Sequence, residues 1–243
     1  QKVFDKILLK KLTLFSERIN FPHQLQQGFR SECSGITAAF IIKEGITHYL
    51  EGQSKVYAAF LDNVKAFNTA WHDGLFNKLF YLRVKGKLWR LIRNSFLEVR
   101  AFVLLNSHHS KPYLINQGVI QGRTLSAWLF LVMINDLISL MKSTKSGIHV
   151  GNLIILCVLL ADDTTLQSSS VNGMCVLLRN LHDYASKWRL RYSADKSNIV
   201  IFSKKKNPYQ NLCSCSEIKG FLQFPLEYML GLLSPQIFLI LLQ

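Results

Sequence analysis

Three aspartates stand at positions where carboxylates are costly unless something neutralises them. Asp62 ends the run Ala59-Phe60-Leu61, and Asp162–Asp163 follow Val158-Leu159-Leu160-Ala161. Carboxylates gathered at the ends of apolar strands repel one another, and cations relieve that repulsion. One chemistry that needs such a set is phosphoryl transfer to or from a nucleotide. It uses two divalent ions roughly 3.5–4 Å apart, one on the attacking hydroxyl and one on the leaving group. Hard magnesium ions take oxygen ligands, so two or three carboxylates must converge. Taken alone, an Asp-Asp pair is more often a polar turn, with Asp162 an ordinary turn residue.

The elements that must position these residues can be read from periodicity. Residues 55–62 form a β-branched and aromatic run, which predicts a buried strand ending at the first carboxylate. Residues 153–161 and 164–167 predict two short strands joined at Asp162–Asp163, and residues 198–202 a further strand. Helical spacing covers 3–19, with Val3, Ile7, Leu8, Leu12, Leu14 and Phe15 near one face, and also 38–50, 64–82, 87–100 and 176–188. Residues 124–140 are apolar almost all round, which predicts a helix inside a core. Residues 102–105 and 113–119 predict a hairpin around 106–110. There is no internal repeat and no long linker. Strands and helices mix without regular βαβ alternation, so the expected class is α+β.

Composition agrees with a folded, basic protein. Of 243 residues 49% are hydrophobic and 18% charged, enough apolar surface for a core. With 29 Lys and Arg against 15 Asp and Glu, the net charge of +14 favours a polyanionic partner, either nucleic acid or an anionic membrane. Cys213 and Cys215 form a lone C-x-C without a second half, so a zinc site has little support. Cys157, inside an apolar run, reads as a small buried residue. No secretory signal is expected at the start, and the apolar runs at 153–161 and 237–242 are too short to span a bilayer. The expectation is a reduced intracellular setting, nucleus or cytoplasm, with no membrane partner and no assignable oligomeric state.

The words around the carboxylates add a resemblance. The run Phe60-Leu61-Asp62-Asn63-Val64-Lys65-Ala66-Phe67-Asn68, continuing to His72, is similar to the first catalytic block of LINE-type (non-LTR) reverse transcriptases, F-x-D-x-x-K-A-F-D-x-x-x-H. Gly118-Val119-Ile120-Gln121-Gly122-Arg123-Thr124-Leu125-Ser126 resembles their G-V-R-Q-G-x-x-L-S-P block, and Leu129-Phe130 with Ile134-Asn135-Asp136-Leu137 the helix after it. Ala161-Asp162-Asp163 resembles the F/Y-A-D-D hairpin, and the stretch from Trp188 to Phe202 the next block, with Lys196 at the family's lysine. Gln27-Gly28-Phe29-Arg30 matches a Q-x-G-F-R element, and Glu227-Tyr228-Met229-Leu230-Gly231 a shortened Y-L-G block. The blocks keep the family's order.

The resemblance implies a right-handed polymerase palm with partial fingers, over 1–234, and a tail at 235–243 of unassigned structure. It implies an RNA-directed DNA polymerase that extends a DNA primer on an RNA template with dNTPs. Two Mg2+ ions, replaceable by Mn2+, would be ligated by Asp62 and Asp162 with Asp163 in support. Phe67 would exclude a 2′-hydroxyl, Gln121 and Gly122 would line the nucleotide pocket, and Lys196 would protonate pyrophosphate. Each has a plainer reading: a core phenylalanine, a turn and a solvated lysine. Arg30, Arg90 and Arg93 are candidates for nucleic-acid phosphates, with others across 83–100. Arg189 and Arg191, with Trp188 and Tyr192, are weaker ones.

Some positions depart from the family. Asn68 replaces an aspartate, Ile120 an arginine, Arg123 a small residue, Ala127 a proline and Leu160 an aromatic. Fingers blocks are expected before residue 1 and a thumb after residue 243, so the chain reads as a fragment. The alternative is a degenerate palm, catalytically inactive, that only binds nucleic acid.

Overall fold

The computed structural model describes residues 2–204. The Y-L-G block, Cys213, Cys215 and the 235–243 tail lie outside the described residues. In chain order the elements are α1 (Lys2–Arg18), α2 (Gly35–Glu51), β1 (Val56–Leu61), α3 (Ala66–Thr69), α4 (His72–Tyr81), α5 (Gly86–Asn94), β2 (Arg100–Ala101), β3 (Leu104–Leu105), β4 (His108–His109) and β5 (Tyr113–Leu114). There follow α6 (Thr124–Ile134), α7 (Asp136–Ser143), β6 (Ile148–Val150), β7 (Leu153–Ile155), β8 (Cys157–Leu160), β9 (Asp163–Ser168), α8 (Val171–Trp188) and β10 (Asn198–Phe202). The mixture bears out the α+β expectation. The chain divides into two compact units, one of residues 1–22 and 65–134, the other of 23–64 and 135 onward.

The second unit holds a four-stranded antiparallel sheet in the order β10-β1-β9-β8. Side chains alternate across it. Val56 and Val158 join a core cluster with Ala38, Ile46 and Leu50 of α2, and Gln167 reaches the same helix through its amide, which donates to the Ile42 carbonyl. On the opposite face, α8 packs on β9 and β1, and α7 on β8 and α8. Helix α2 begins three residues before the periodicity suggested, because Ser34 and Thr37 cap one another's backbone N–H groups. Cys157 is buried there as expected.

Outside β8, residues Leu25 to Gln27 run as a short parallel addition to the sheet. The Gln27 N–H donates to the Leu159 carbonyl (2.7 Å) and the Leu159 N–H to the Leu25 carbonyl (2.9 Å).

The first unit is built on α6, whose side chains from Leu125 to Ile134 are buried with the exception of Ala127. It packs against α1 and α4. The buried stripe of α1 is Asp5, Leu8, Leu12 and Ser16, whereas Val3, Ile7 and Leu14 are exposed. Two polar residues enter this stripe because each has a partner on the other side: Asp5 meets Arg123, and Ser16 Oγ accepts from Trp128 Nε1 (2.9 Å). The helix expected over 64–82 breaks at Ala70–Trp71, where Trp71 pairs with Gln117. The expected hairpin is tighter than its sequence suggested. Asn106 and Ser107, both at positive φ, make a two-residue turn between β3 and β4, while Tyr113 pairs instead with Ala101.

The apolar run 124–143 is long and apolar enough to cross a membrane, but 67% of its 18-residue apolar stretch is buried within the protein, as in a core helix.

Candidate active site

Strand β1 delivers Asp62 just beyond its last paired residue, Leu61, which faces Thr164 of β9. The Asp62 N–H donates to Ser197 Oγ (3.2 Å), and its carbonyl accepts from the Ser193 N–H (2.8 Å). Two residues on, the Val64 N–H donates to the Arg191 carbonyl (2.7 Å). The 191–197 loop is therefore stitched to the end of β1, which brings Lys196 alongside. Lys196 Nζ lies 4.0 Å from Asp62 Oδ2, with 72% and 35% of the two side chains exposed. At that distance and exposure the pair is weak and screened.

The second carboxylate locus is the β8–β9 hairpin. Leu160 pairs with Asp163, so the loop itself consists of Ala161 and Asp162. Ala161 sits at φ +56°, a left-handed conformation that a residue with a Cβ adopts only when its surroundings impose it. Asp163 is the first residue of β9, and by strand alternation it shares the α2 face with Thr165 and Phe60. A cleft of about 380 Å3 opens on this face, lined by Asp62, Asp163 and Lys196 together with Ala38, Phe60 and Thr165. Of the adjacent pair, it is Asp163 that shares the cleft wall with Asp62, while Asp162 occupies the turn. Phe60, in the strand expected to be buried, is half-buried and lines the cleft.

Electrostatics mark the same spot. Asp163 is exposed by area, yet the part of its carboxyl set into the cleft wall loses water, which raises its pKa. The Asp162 carboxylate, and then that of Asp62, push it further up. Among the described residues no three His, Cys, Asp or Glu side chains stand close enough to hold a metal ion by themselves. The donor set nonetheless fits magnesium, which is commonly held by one or two carboxylates with substrate phosphates and water rather than by an all-protein cage. The repulsion that Asp163 meets from its two neighbours is also what a divalent cation would relieve.

Other nominated residues have different surroundings. In the first unit, Phe67 stacks on Phe130 (centroids 4.8 Å apart, planes 17°). Gln121 and Gly122 are exposed in a turn, with Gly122 at φ +83°. That loop is fastened upstream: the Gly118 N–H donates to the Ala70 carbonyl (2.8 Å) and the Val119 N–H to the Phe67 carbonyl (2.7 Å). Arg90 and Arg93 lie on the exposed face of α5, Arg93 over the Trp89 ring (5.8 Å). Arg123 is engaged structurally, gripping the buried Asp5 carboxylate with Nε at 2.8 Å and Nη2 at 2.7 Å. In the second unit, Arg30 Nη1 donates to the carbonyls of His23, Gln24 and Gln26 (3.2–3.3 Å), folding its own loop. Tyr192 turns its hydroxyl inward, 3.1 Å from Thr164 Oγ1, and burial raises its pKa. That direction is wrong for stacking a nucleic-acid base.

Gln26 received no role from the sequence. Its side chain is fully buried and its Oε1 accepts from both the Gly28 N–H (2.7 Å) and the Ala161 N–H (3.2 Å). Its only signal was the Q-x-G-F-R match, in which, counting back from Gly28, Gln26 itself stands at the glutamine and Gln27 at the free position.

A family described as reverse transcriptase (RNA-dependent DNA polymerase) matches residues 1–219. The RNA-directed DNA polymerase from mobile element jockey of Drosophila melanogaster is 26% identical over 211 residues, covering 84% of this chain and 22% of that protein. The probable RNA-directed DNA polymerase from transposon X-element of the same species is 25% identical, again covering 84% of this chain and 22% of its own length. The chain thus spans about a fifth of these relatives. Among solved structures, telomerase from Candida albicans, in complex with the TWJ fragment of telomeric RNA, superposes with a TM-score of 0.63 at 15% identity, over 80% of this chain and 34% of that one. This last likeness concerns the fold alone.

Proposed function

Since the chain belongs to the reverse transcriptase (RNA-dependent DNA polymerase) family, we propose that it carries the palm of an enzyme that extends a DNA primer on an RNA template. The observation that carries this reading is the meeting of Asp62, from the end of β1, and Asp163, from the start of β9, in one cleft with Lys196. Nucleotidyl transfer in this family is metal-dependent. Asp62 and Asp163, with Asp162 beside them in the turn, are the residues that would hold magnesium or manganese. Such ions, when bound, lower the charge on the transferring phosphoryl group and activate the primer hydroxyl.

The chain's own residues supply the rest. The hydrogen bonds from the Ser193 N–H to the Asp62 carbonyl and from the Asp62 N–H to Ser197 Oγ fix the backbone of Asp62, so its carboxylate leaves the strand end in a set direction. Lys196, exposed beside Asp62, is proposed to meet departing pyrophosphate and give it a proton, a reading its nearness to Asp62 supports. Phe67, Gln121 and Gly122 are proposed to select and seat the dNTP. The basic α5 surface around Arg90 and Arg93 is proposed to follow the phosphates of template and primer.

Primer extension on an RNA template with dNTPs and Mg2+ tests the assignment. Asp62→Ala, and Asp162→Ala combined with Asp163→Ala, are each expected to lower the rate by about 10³, the several kcal/mol that a metal ligand contributes. Activity that survives both changes overturns it. RNA binding without extension at any Mg2+ or Mn2+ concentration would identify a palm that binds without synthesis.

A further inference from the structure

The acidic turn is not held by its own hairpin alone. The Leu160–Asp163 pairing closes a two-residue loop in which Ala161 must adopt a left-handed conformation. A β-hairpin can supply the strands on either side but no partner for the Ala161 N–H. That partner comes from 135 residues away, as Gln26 Oε1. The same oxygen accepts from the Gly28 N–H, so one buried acceptor ties the 26–28 bend to the turn.

The close approach needs Gly28. A Cβ there would fall on the Ala161 backbone, 2.6 Å from its Cα. The main-chain pairing of Leu25 and Gln27 with Leu159 fixes the register of this contact. Arg30 braces the bend from behind through the Gln26 carbonyl. Gln26 also keeps a buried Nε2 without a hydrogen-bond partner, a cost tolerated at a position where the oxygen matters more.

We propose that Gln26 is a positioning residue for the carboxylates: by holding the Ala161 N–H against Gly28 it sets the direction in which Asp162 and Asp163 leave the turn. The consequence for cation binding rests on the carboxylate assignment above, whereas the positioning itself is a statement about the turn. Gln26→Met keeps the volume of the side chain and removes the acceptor; Gln26→Glu keeps an acceptor at the same reach.

Amide exchange and NMR titration with Mg2+ alone, on the full chain, separate the outcomes. In the unaltered protein the Ala161 amide is expected to be protected. Gln26→Met is expected to speed its exchange about tenfold, the loss of one hydrogen bond, and to raise the Mg2+ midpoint seen at residues 161–163 by a similar factor. Gln26→Glu is expected to restore the protection. An unprotected Ala161 amide in the unaltered protein, or unchanged exchange or an unchanged midpoint in Gln26→Met, overturns the proposal. If the unaltered protein shows no Mg2+ response, the cation reading falls, and the exchange data still decide the role of Gln26.

Discussion

Asp162 and Asp163 are neighbours in sequence but not in environment, because the turn consumes Ala161 and Asp162 and leaves Asp163 to begin β9. The locus could be read from its words: a carboxylate after an apolar strand, and a pair after another. Which of the pair faces the cleft could not, since it depends on how many residues the turn takes and hence on strand parity. The raised pKa of Asp163 has a consequence for stability. Its folded form binds a proton more tightly than the unfolded chain does, so its ionisation costs stability as pH rises through the folded pKa, and the cost disappears below the ordinary carboxylate range. Asp163→Asn should therefore raise the melting temperature near pH 7 by about 1–2 °C, a modest figure because the carboxyl is largely solvated. The gain should vanish near pH 3 and shrink when Mg2+ is added. Calorimetry at the two pH values checks it, and an unchanged or lower melting temperature at pH 7 would remove the like-charge argument.

Among the elements, those with uninterrupted periodicity were the most legible: β1, β10, α8 and the all-apolar α6. Misreadings fell where long-range pairing overrides local pattern. The apparent helix across 64–82 is cut where Trp71 pairs with Gln117, and the exposed side of α1 carries Val3 and Ile7 because Asp5 and Ser16 have buried partners. Arg123, which departs from the family, is explained by the same contact: it is the counter-ion of a carboxylate with 1% exposure. Arg123→Ala would remove the two-pronged guanidinium contact from that buried carboxylate and should cost about 3–5 kcal/mol. Combining it with Asp5→Leu should recover most of the loss, since a buried ion pair is often replaceable by apolar groups. Urea unfolding of the single and double variants gives the answer, and additive losses would mean that the pair is not coupled.

For the whole molecule, the charge of +14 predicts RNA affinity that falls steeply with salt. Removing Arg90 and Arg93 together should lower the slope of log K against log salt by about 1.4, if each meets a phosphate of a single strand. Titrations at several salt concentrations measure this, and an unchanged slope would take α5 out of the nucleic-acid path. Synthesis imposes an order on the same architecture. The second unit is made from two stretches of chain with residues 65–134 between them, and the bond from Ala161 to Gln26 spans 135 residues. At about 5–20 residues per second, the bend at Gln26–Gly28 leaves the ribosome roughly 7–27 s before the turn it is to clasp. During that interval the buried amide of Gln26 has no native partner in the turn. The acidic hairpin cannot reach its native setting until both halves of the unit are present, so a ribosome that stalls before β8 and β9 releases a chain with the clasp but no carboxylate turn.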